Sequence, residues 1–333
     1  EQIDEIDQEV LRLLEQRLLL AEEVAAIKER QQGVALTDPK REKDMIERLQ
    51  NATEHQVLKK EVKNIFSICM DMSKRVRISR RQQEKNRYLP SLKLGILGHG
   101  RFGGLLATIF RTYWQQSEVL VYEPSETVDG KNFFSFEETC KVDLLFPCVP
   151  IFALGDVLKQ AKAHIIESTT VVDVCSVKVY AVEQMKEALG EGARMIASHP
   201  MFGPQSTQNG KEFYGLNMVL YNLSAPAFVY DVLQTFWKNL GVDVVEITPE
   251  EHDRFAAYSI NYNHLMGRIG EVIGIQQTPI DTKGFRVIHD ALQYVTNDTW
   301  ELFRDMQNHN PFAKEMRDKV RTAFEQIDGK LTE

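Results

Sequence analysis

Three short strings of residues carry groups suited to binding a nucleotide or moving a proton. The first is G-H-G-R-F-G at residues 98–103, which follows an apolar run at 93–97 and precedes a helical pattern at 105–113. Such glycines allow a tight turn and bring a pyrophosphate close to the positive N-terminus of the helix. Glu123 ends the next predicted strand, about 20 residues on, where a carboxylate accepts hydrogen bonds from the ribose 2′-hydroxyl of NAD and repels the 2′-phosphate of NADP. The string predicts an NAD site; the alternatives are NADP, or a glycine turn in an α/β domain that binds no nucleotide.

The other two strings are V-D-V-C-S-V-K at residues 172–178 and A-S-H-P-M-F-G-P at residues 197–204, each at the end of a predicted strand. Ligands bind beyond the carboxyl ends of parallel strands. His199 precedes a proline, which holds its backbone extended, and its imidazole can accept a hydroxyl proton. A structural histidine fits the local sequence equally well, and Ser176 alone is typical of a turn. The residues expected to contact the cofactor are Gly98, Gly100, Arg101, Phe102, Gly103, Glu123, Val149, Pro150, Asp173 and Ser176.

The first 80 residues are predicted to form three helices with polar groups on their buried faces. The first helix has apolar residues at heptad spacing, and Arg17 occupies a seam position where an aliphatic residue is expected. Lys28 lies eleven residues on, about three turns later on nearly the same face. Buried cations need a partner, so this pattern indicates an anionic ligand or a buried ion pair; the alternative is cations whose charged ends reach solvent from a coiled-coil dimer. Further polar groups at similar depth are Asp38 (a predicted N-cap), Arg41, Glu42, Ser73 and Arg77.

The pattern of apolar residues divides the chain into an α+β multidomain protein. An all-α module at 1–80 and a linker at 81–91 precede a Rossmann-type α/β domain at 92–249, and 250–333 reads as a helical domain for substrate binding and dimerisation. Seven strands are predicted in a parallel sheet, at 92–97, 119–123, 143–149, 171–174, 195–198, 218–220 and 242–247.

Composition narrows the functional classes. The net charge of −8 argues against nucleic acid as the main partner, because phosphate binding needs a basic surface. The four cysteines have no C-x-x-C spacing, which predicts reduced thiols and no metal site in a cytoplasmic protein. No apolar run approaches the length of a membrane span, and the N-terminus is not signal-like. Both helical parts need a partner to bury their apolar faces, so we expect a homodimer.

Together, residues 98–103, 173–178 and 199–206 resemble the prephenate/arogenate dehydrogenase family of tyrosine biosynthesis. Glu251-His252-Asp253 and residues 278–285 extend the resemblance over about 92–325, and the latter stretch is most similar to plant-type arogenate dehydrogenases. The resemblance implies that His199 contacts the ring 4-hydroxyl and that Ser176 helps near the hydroxyl and the nicotinamide. It implies NAD-dependent oxidative decarboxylation.

The substrate's ring carboxylate should need a cation. Many members of the family have an arginine four residues after a G-F-R string, and Asp290 stands there in this sequence. Lys283, Arg286 and Arg268 are the remaining candidates. This departure leaves prephenate and arogenate both open as substrates.

Residues 1–80 resemble the all-helical chorismate mutases, which are intertwined dimers of three helices. Arg17, Lys28, Asp38, Arg41, Glu42 and Ser73 fall on that family's active-site positions. The family's arginine one place before Glu1 lies outside the sequence, and its Gln or Glu on the third helix is Arg77 here. The resemblance implies a site that binds a dicarboxylate and favours a Claisen rearrangement by positioning and electrostatics.

The expected function is a fused enzyme that converts chorismate to prephenate and then prephenate to 4-hydroxyphenylpyruvate. Two alternatives remain: a prephenate or arogenate dehydrogenase whose helical module is inactive or regulatory, and an NAD-binding metabolite sensor. Pathway logic makes tyrosine a plausible feedback inhibitor, although no residue indicates it.

Overall fold

The structure is a computed structural model that describes residues 1–30 and 39–331, without the side chains of residues 25, 26, 28–30, 39, 76–84 and 294. The described chain divides into two compact units. The first comprises Glu1–Tyr88 with the short segments Glu212–Tyr214 and Asn239–Gly241, and the second comprises the rest. The Rossmann-type part and the C-terminal helices, which the sequence analysis separates at residue 249, belong to one unit.

Three helices form most of the first unit: α1 spans Gln2–Arg30, α2 Pro39–Asn51 and α3 Gln56–Asn86. α2 begins at Pro39, whose fixed φ favours the first helical turn and whose missing N–H would have no helical partner there. α1 and α2 both pack on α3. The predicted three-helix module is confirmed, and the stretch predicted as a linker continues α3 as far as Asn86.

The heptad face of α1 is exposed to solvent in the single chain. This is true of every apolar residue of the predicted seam: Ile3, Ile6, Val10, Leu13, Leu20, Val24 and Ile27. An apolar stripe of this length normally packs against another surface.

Seven strands form one sheet in the second unit, in the order β2-β1-β3-β4-β5-β6-β7. The strands are β1 Lys93–Leu97, β2 Glu118–Tyr122, β3 Leu144–Pro147, β4 Thr170–Val172, β5 Arg194–Pro200, β6 Asn217–Asn222 and β7 Asp243–Glu246. Their ends differ from the predicted ones by at most two residues.

The sheet is mixed, whereas the sequence predicted a parallel one. β6 runs antiparallel to β5, and every other neighbouring pair is parallel. Residues 201–216, which join β5 to β6, contain no helix. A parallel pair needs a crossover connection, usually a helix, so a chain without one returns antiparallel.

Helices follow most of the strands: α4 Arg101–Tyr113, α5 Phe136–Cys140, α6 Leu154–Ala161, α7 Val179–Leu189 and α8 Ala227–Asn239. The strands in the middle of the sheet are almost wholly buried, as in sheets covered on both faces. This arrangement brings the polar strings after β1, β4 and β5 to one edge of the sheet.

The C-terminal part is helical throughout its described elements, as predicted. Thr248 and Glu251 form a capping box at the start of α9, and Pro249 is its first residue. A π-helical turn at Ala257–Asn261 joins α9 directly to α10. The helices are α9 Pro249–Ala256, α10 Tyr262–Ile273, α11 Lys283–Thr296, α12 Trp300–His309 and α13 Ala313–Leu331. Across the described residues, no helix has the length and apolar character needed to cross a bilayer.

Candidate active site

The glycine-rich turn between β1 and α4 has the geometry of a pyrophosphate site. Gly98 has a φ of +100°, which suits glycine alone. A Cβ on Gly103 would lie 2.0 Å from the backbone oxygen of Gly98, so the helix packs against the turn with no room for a side chain. A Cβ on Gly100 would meet no atom within 4 Å. Open space therefore lies at the helix N-terminus, where free N–H groups favour an anion.

Glu123 stands beside this turn, one residue after β2. Its Oε2 accepts a hydrogen bond from the backbone N–H of His99 at 2.7 Å, and its Oε1 accepts one from the Ser125 hydroxyl at 3.3 Å. The carboxylate is thereby fixed where this fold places the ribose of a dinucleotide. These groups fit NAD. In the described part of the chain, no three His, Cys, Asp or Glu side chains come together as metal ligands.

A cavity of about 520 Å³ opens beyond the carboxyl ends of β3, β4 and β5. Its other wall comes from the C-terminal helices, which contribute Ile260, His264 and Leu302 among others. Six of the predicted site residues line it: Arg101, Phe102, Val149, Pro150, Ser176 and His199. The structure thus brings five of the ten predicted cofactor residues and the predicted base to one cavity.

A chain of buried hydrogen bonds ends at His199. Nδ1 of His252 lies 2.8 Å from Oδ1 of Asp253, and Nε2 of His252 lies 2.8 Å from Nδ1 of His199. A carboxylate only accepts, so the proton between the first pair belongs to Nδ1 of His252. Its Nε2 then accepts from the Nδ1–H of His199. This leaves Nε2 of His199 with a free lone pair for a substrate hydroxyl.

The surroundings of His199 keep it uncharged. Burial lowers its pKa well below the usual value, and the nearby His252 and Lys178 lower it further. His199 is only 5% exposed although it lines the cavity. A neutral imidazole is the form that accepts a proton, so the site favours a general base at neutral pH.

Asp173 was predicted to contact the cofactor, but it does not line the cavity. Its carboxylate is fully buried and accepts hydrogen bonds from the backbone N–H groups of Cys175 at 2.9 Å and Ser198 at 3.1 Å. Lys178 is also buried, and its Nζ contacts Oδ1 of Asp173 and the carbonyl oxygen of Ser198. Since these partners occupy both carboxylate oxygens, Asp173 holds the loops after β4 and β5 in place instead of reaching a ligand.

The three cations proposed for the ring carboxylate do not line the cavity in the single chain. Arg268 is 4% exposed, and its guanidinium lies 4.6 Å from the ring centroid of Trp300. It donates to Glu271 at 2.8 Å and also contacts the carbonyl oxygen of Asp298. Lys283 and Arg286 are exposed in the first turn of α11. Stacking and hydrogen bonds within the protein occupy Arg268, and the other two point to solvent.

Sequence reasoning missed several polar residues on the C-terminal wall of the cavity. Asn263, His264 and Asp298 all line it, and Nε2 of His264 lies 3.8 Å from Oδ2 of Asp298. Nδ1 of His264 is buried without a hydrogen-bond partner among the described residues, and burial lowers the pKa of His264. Oδ1 of Asp298 also lies 3.3 Å from Nη1 of Arg101. The partners of Asp298 are 34 and 197 residues away along the chain, so no local pattern indicates them.

Some of the polar groups predicted on the three N-terminal helices do converge. Nη1 of Arg17 donates to the Ser73 hydroxyl and to the carbonyl oxygen of Cys69, each at 2.6 Å. Ser73 is buried, and its hydroxyl donates to the Cys69 carbonyl at 2.8 Å. Glu42 pairs with Nζ of Lys74 at 3.2 Å, a partner that the sequence analysis did not single out.

The remaining predicted residues of this module are either exposed or outside the described part of the chain. Arg41 is exposed in the first turn of α2. Asp38 lies outside the described residues, as do the side chains of Lys28 and Arg77.

Comparison with known families agrees with this arrangement. The model of chorismate mutase type II matches residues 1–78, and that of the prephenate dehydrogenase nucleotide-binding domain matches residues 127–246. The TYRAAT1-like C-terminal domain matches residues 269–333. The chorismate mutase of Methanocaldococcus jannaschii is 35% identical over 86 residues, which cover 26% of this chain and 86% of that protein.

The chain carries a chorismate mutase type II module at residues 1–78 and a prephenate dehydrogenase nucleotide-binding domain at residues 127–246. Arogenate dehydrogenase 2, chloroplastic, of Arabidopsis thaliana is 29% identical to it over 276 residues, which cover 75% of this chain and 73% of that protein. A crystal structure of the A. aeolicus prephenate dehydrogenase with hydroxyphenyl propionate and NAD⁺ superposes with a TM-score of 0.57 at 20% identity, covering 74% of this chain and 91% of that one. The predicted family and the predicted fold class are confirmed.

The buried His199 makes the stability of the dehydrogenase module depend on pH. The unfolded chain takes up a proton at His199 near pH 6.5, whereas the folded module resists it to lower pH. The stability due to the neutral ring is therefore present above about pH 6.5 and is lost as the pH falls below it, by up to about 1.4 kcal/mol per pH unit. We expect unfolding midpoints measured from pH 8 to pH 5 to fall more steeply for the wild type than for His199→Asn. His55→Asn, at an exposed position, is the control; equal slopes for the wild type and His199→Asn would show that His199 is not held neutral.

Proposed function

We propose that the second unit catalyses the NAD-dependent oxidative decarboxylation of prephenate or arogenate. The observation that carries the proposal is the chain from Asp253 through His252 to His199, which ends at a cavity continuous with the glycine-rich turn. A neutral base next to a nucleotide site is what the oxidation of a ring alcohol requires.

The chemistry of each group follows from its position. When bound, NAD supplies the acceptor for the hydride that leaves C4 of the substrate ring. Nε2 of His199 takes the proton of the 4-hydroxyl, and His252 and Asp253 stabilise the resulting imidazolium through the two hydrogen bonds. Loss of the ring carboxylate as CO2 aromatises the ring, and His199 returns the proton to the phenolic oxygen. Ser176 also lines the cavity, and we propose that it hydrogen-bonds the hydroxyl.

We further propose that the first unit rearranges chorismate to prephenate. The support is a half-buried cluster on α1, α2 and α3 in which the Arg17 guanidinium is held by Ser73 and a carbonyl oxygen, with Lys74 and Glu42 paired nearby. Fixed cations suit a dicarboxylate substrate and a transition state with charge on its ether oxygen.

Arogenate is the second candidate substrate of the dehydrogenase, and Asp298 favours it. Arogenate has an ammonium group where prephenate has a keto group, and a carboxylate lining the cavity is the natural partner of an ammonium. Asp298 is 32% exposed and has His264 and Arg101 beside it.

A homodimer is proposed for the intact protein. The exposed heptad face of α1 has the 3.5-residue period that packs against an identical helix.

We also propose a cytoplasmic location, which is supported by the four unpaired cysteines. We propose in addition that tyrosine inhibits the enzyme, which is tested by adding tyrosine to the activity assays described next.

Variants at the two sites should separate the two activities. The assays follow consumption of chorismate, and NADH formation by purified protein with NAD and chorismate, prephenate or arogenate supplied separately. His199→Asn should lower dehydrogenase turnover by about 10²- to 10⁴-fold, as for loss of a general base, with NAD binding and mutase activity kept. Arg17→Ala should abolish the mutase activity and leave the dehydrogenase intact.

The reverse results would change these assignments. Near-wild-type turnover of His199→Asn would remove His199 from the mechanism. A fall of both activities in Arg17→Ala together with loss of the dimer would make Arg17 structural. Failure to consume chorismate, in a protein that forms NADH from prephenate or arogenate, would show that the helical module has no mutase activity.

Removing the charge of Asp298 should shift the substrate preference. We expect Asp298→Asn to lower kcat/KM for arogenate about tenfold relative to prephenate, because the ammonium loses its counter-charge. Glu271→Gln, a carboxylate outside the cavity, is the matched control, and NAD affinity is measured alongside because Arg101 contacts Asp298. An unchanged ratio of kcat/KM for arogenate to kcat/KM for prephenate would show that Asp298 does not interact with the ammonium group of the substrate.

The proposed dimer is tested by sedimentation at micromolar concentration. The wild type should sediment as a dimer, and Leu13→Glu should dissociate it because a charge on the seam must be desolvated. Gln16→Glu places the same charge on an exposed position of α1 outside the seam and should leave the dimer intact. A monomeric wild type, or a Leu13→Glu variant that stays dimeric, would contradict pairing through α1.

A further inference from the structure

The helical segment 249–273 supplies two histidines to the same site although their spacing does not suit a regular helix. His252 contacts His199, which lines the cavity, and His264 lines that cavity itself. Both are buried, at 3% and 7% exposure. They are twelve residues apart.

An uninterrupted α-helix would place these two side chains on different faces. With about 3.6 residues per turn, twelve residues rotate the chain by about 120° beyond three full turns. Eleven residues return to within about 20° of the starting face. A π-helical turn closes its hydrogen bond over one more residue than an α-turn and so absorbs the twelfth. The turn Ala257–Asn261 lies between the two histidines and performs this correction.

Asn261 ties this turn to the end of α12. Its side chain is fully buried, and its Nδ2 donates to the carbonyl oxygen of Met306 at 3.1 Å. Its own carbonyl oxygen accepts from Nε2 of Gln307 at 2.8 Å. Arg317 in turn donates to the side-chain oxygen of Gln307 at 2.9 Å and to its carbonyl oxygen at 2.7 Å.

These bonds connect the π-helical turn to two further helices of the same unit. π-helical turns are rare and are frequently found at functional sites. Hydrogen bonds that tie such a turn to a neighbouring helix therefore restrain the helical register.

We propose that Asn261, held by Gln307, is a positioning residue of the dehydrogenase site. It keeps the twelfth residue in the π-helical turn, so that His264 faces the cavity while His252 contacts His199. Without this restraint the segment relaxes toward a regular helix, and the imidazole of His264 turns away from the substrate. The inference rests on the proposed dehydrogenase function.

The test combines a substitution with a deletion that should cancel it. Asn261→Ala removes the side-chain tie, and we expect KM for prephenate or arogenate to rise at least about tenfold with NAD affinity and mutase activity unchanged. Deleting Ser259, an exposed residue of the turn, leaves the histidines eleven residues apart and should allow a regular helix that still directs both to the site. The deletion alone should keep KM within about threefold of the wild type, and the deletion in the Asn261→Ala background should restore KM.

Two further variants sharpen the result. Ser259→Ala keeps the chain length and separates the effect of length from loss of the hydroxyl, which donates to the Phe255 carbonyl at 2.8 Å. Gln307→Met removes the donor to Asn261 with little change in volume and should raise KM in the same way if Asn261→Ala does not fold.

Two results would overturn the inference while leaving the function intact: an unchanged KM in both Asn261→Ala and Gln307→Met, or a double variant as impaired as Asn261→Ala alone. A wild type that reduces no NAD with prephenate or arogenate would instead remove the proposed function. The wild-type assay beside the variants distinguishes the two failures.

Discussion

Asp253 has a fully buried carboxylate whose two oxygens organise the dehydrogenase site. One oxygen accepts from the backbone N–H of Lys178, the other accepts from that of Val179, and His252 donates to the first. A buried charge is tolerated only when its hydrogen bonds are satisfied. This requirement fixes the N-terminus of α7 against α9, and it also fixes the tautomer of His252 and hence that of His199. The base and the loop after β4 therefore depend on one side chain.

The cavity lies where two differently built parts of the unit meet. The sheet edge contributes the glycine-rich turn, the loop with Ser176 and the strand with His199, all of them at carboxyl ends of strands. The C-terminal part contributes His264 from α10 and Asp298 from the turn between α11 and α12. The Arg101–Asp298 contact links the two parts, because Arg101 begins the helix at the pyrophosphate site. A residue at the cofactor site and a residue of the opposite cavity wall therefore lie next to each other.

The polar site of the helical module is built differently from the dehydrogenase site. Its polar cluster is built from side chains on α1, α2 and α3, and the cations in it are held by neutral oxygens or by carboxylates. A site of this kind acts through fixed charge and shape, with no group that must change its protonation state. The apolar heptad face of the same α1 is exposed, so one helix combines a polar site with a surface suited to a second copy.

The sequence by itself determined the features that depend on neighbouring residues. Seven strands, the three N-terminal helices and the glycine-rich turn follow from local periodicity and from backbone conformations that only glycine adopts. His199 and Ser176 were found because each follows a strand, and the edge of the sheet gathers such residues.

The tertiary structure decided what depends on distant partners. The direction of β6, the pairing of His252 with His199 and the placement of Asp298 each involve packing that no local pattern encodes. Arg268 shows most clearly what the sequence could not determine. Its sequence context resembles that of a ligand-binding cation, but Trp300, 32 residues away, stacks on it. His264 is a second case, since its direction follows from one π-helical turn that periodicity alone does not reveal. The role of a side chain depends on the groups that hydrogen-bond to it or stack on it, and the tertiary structure determines which groups those are.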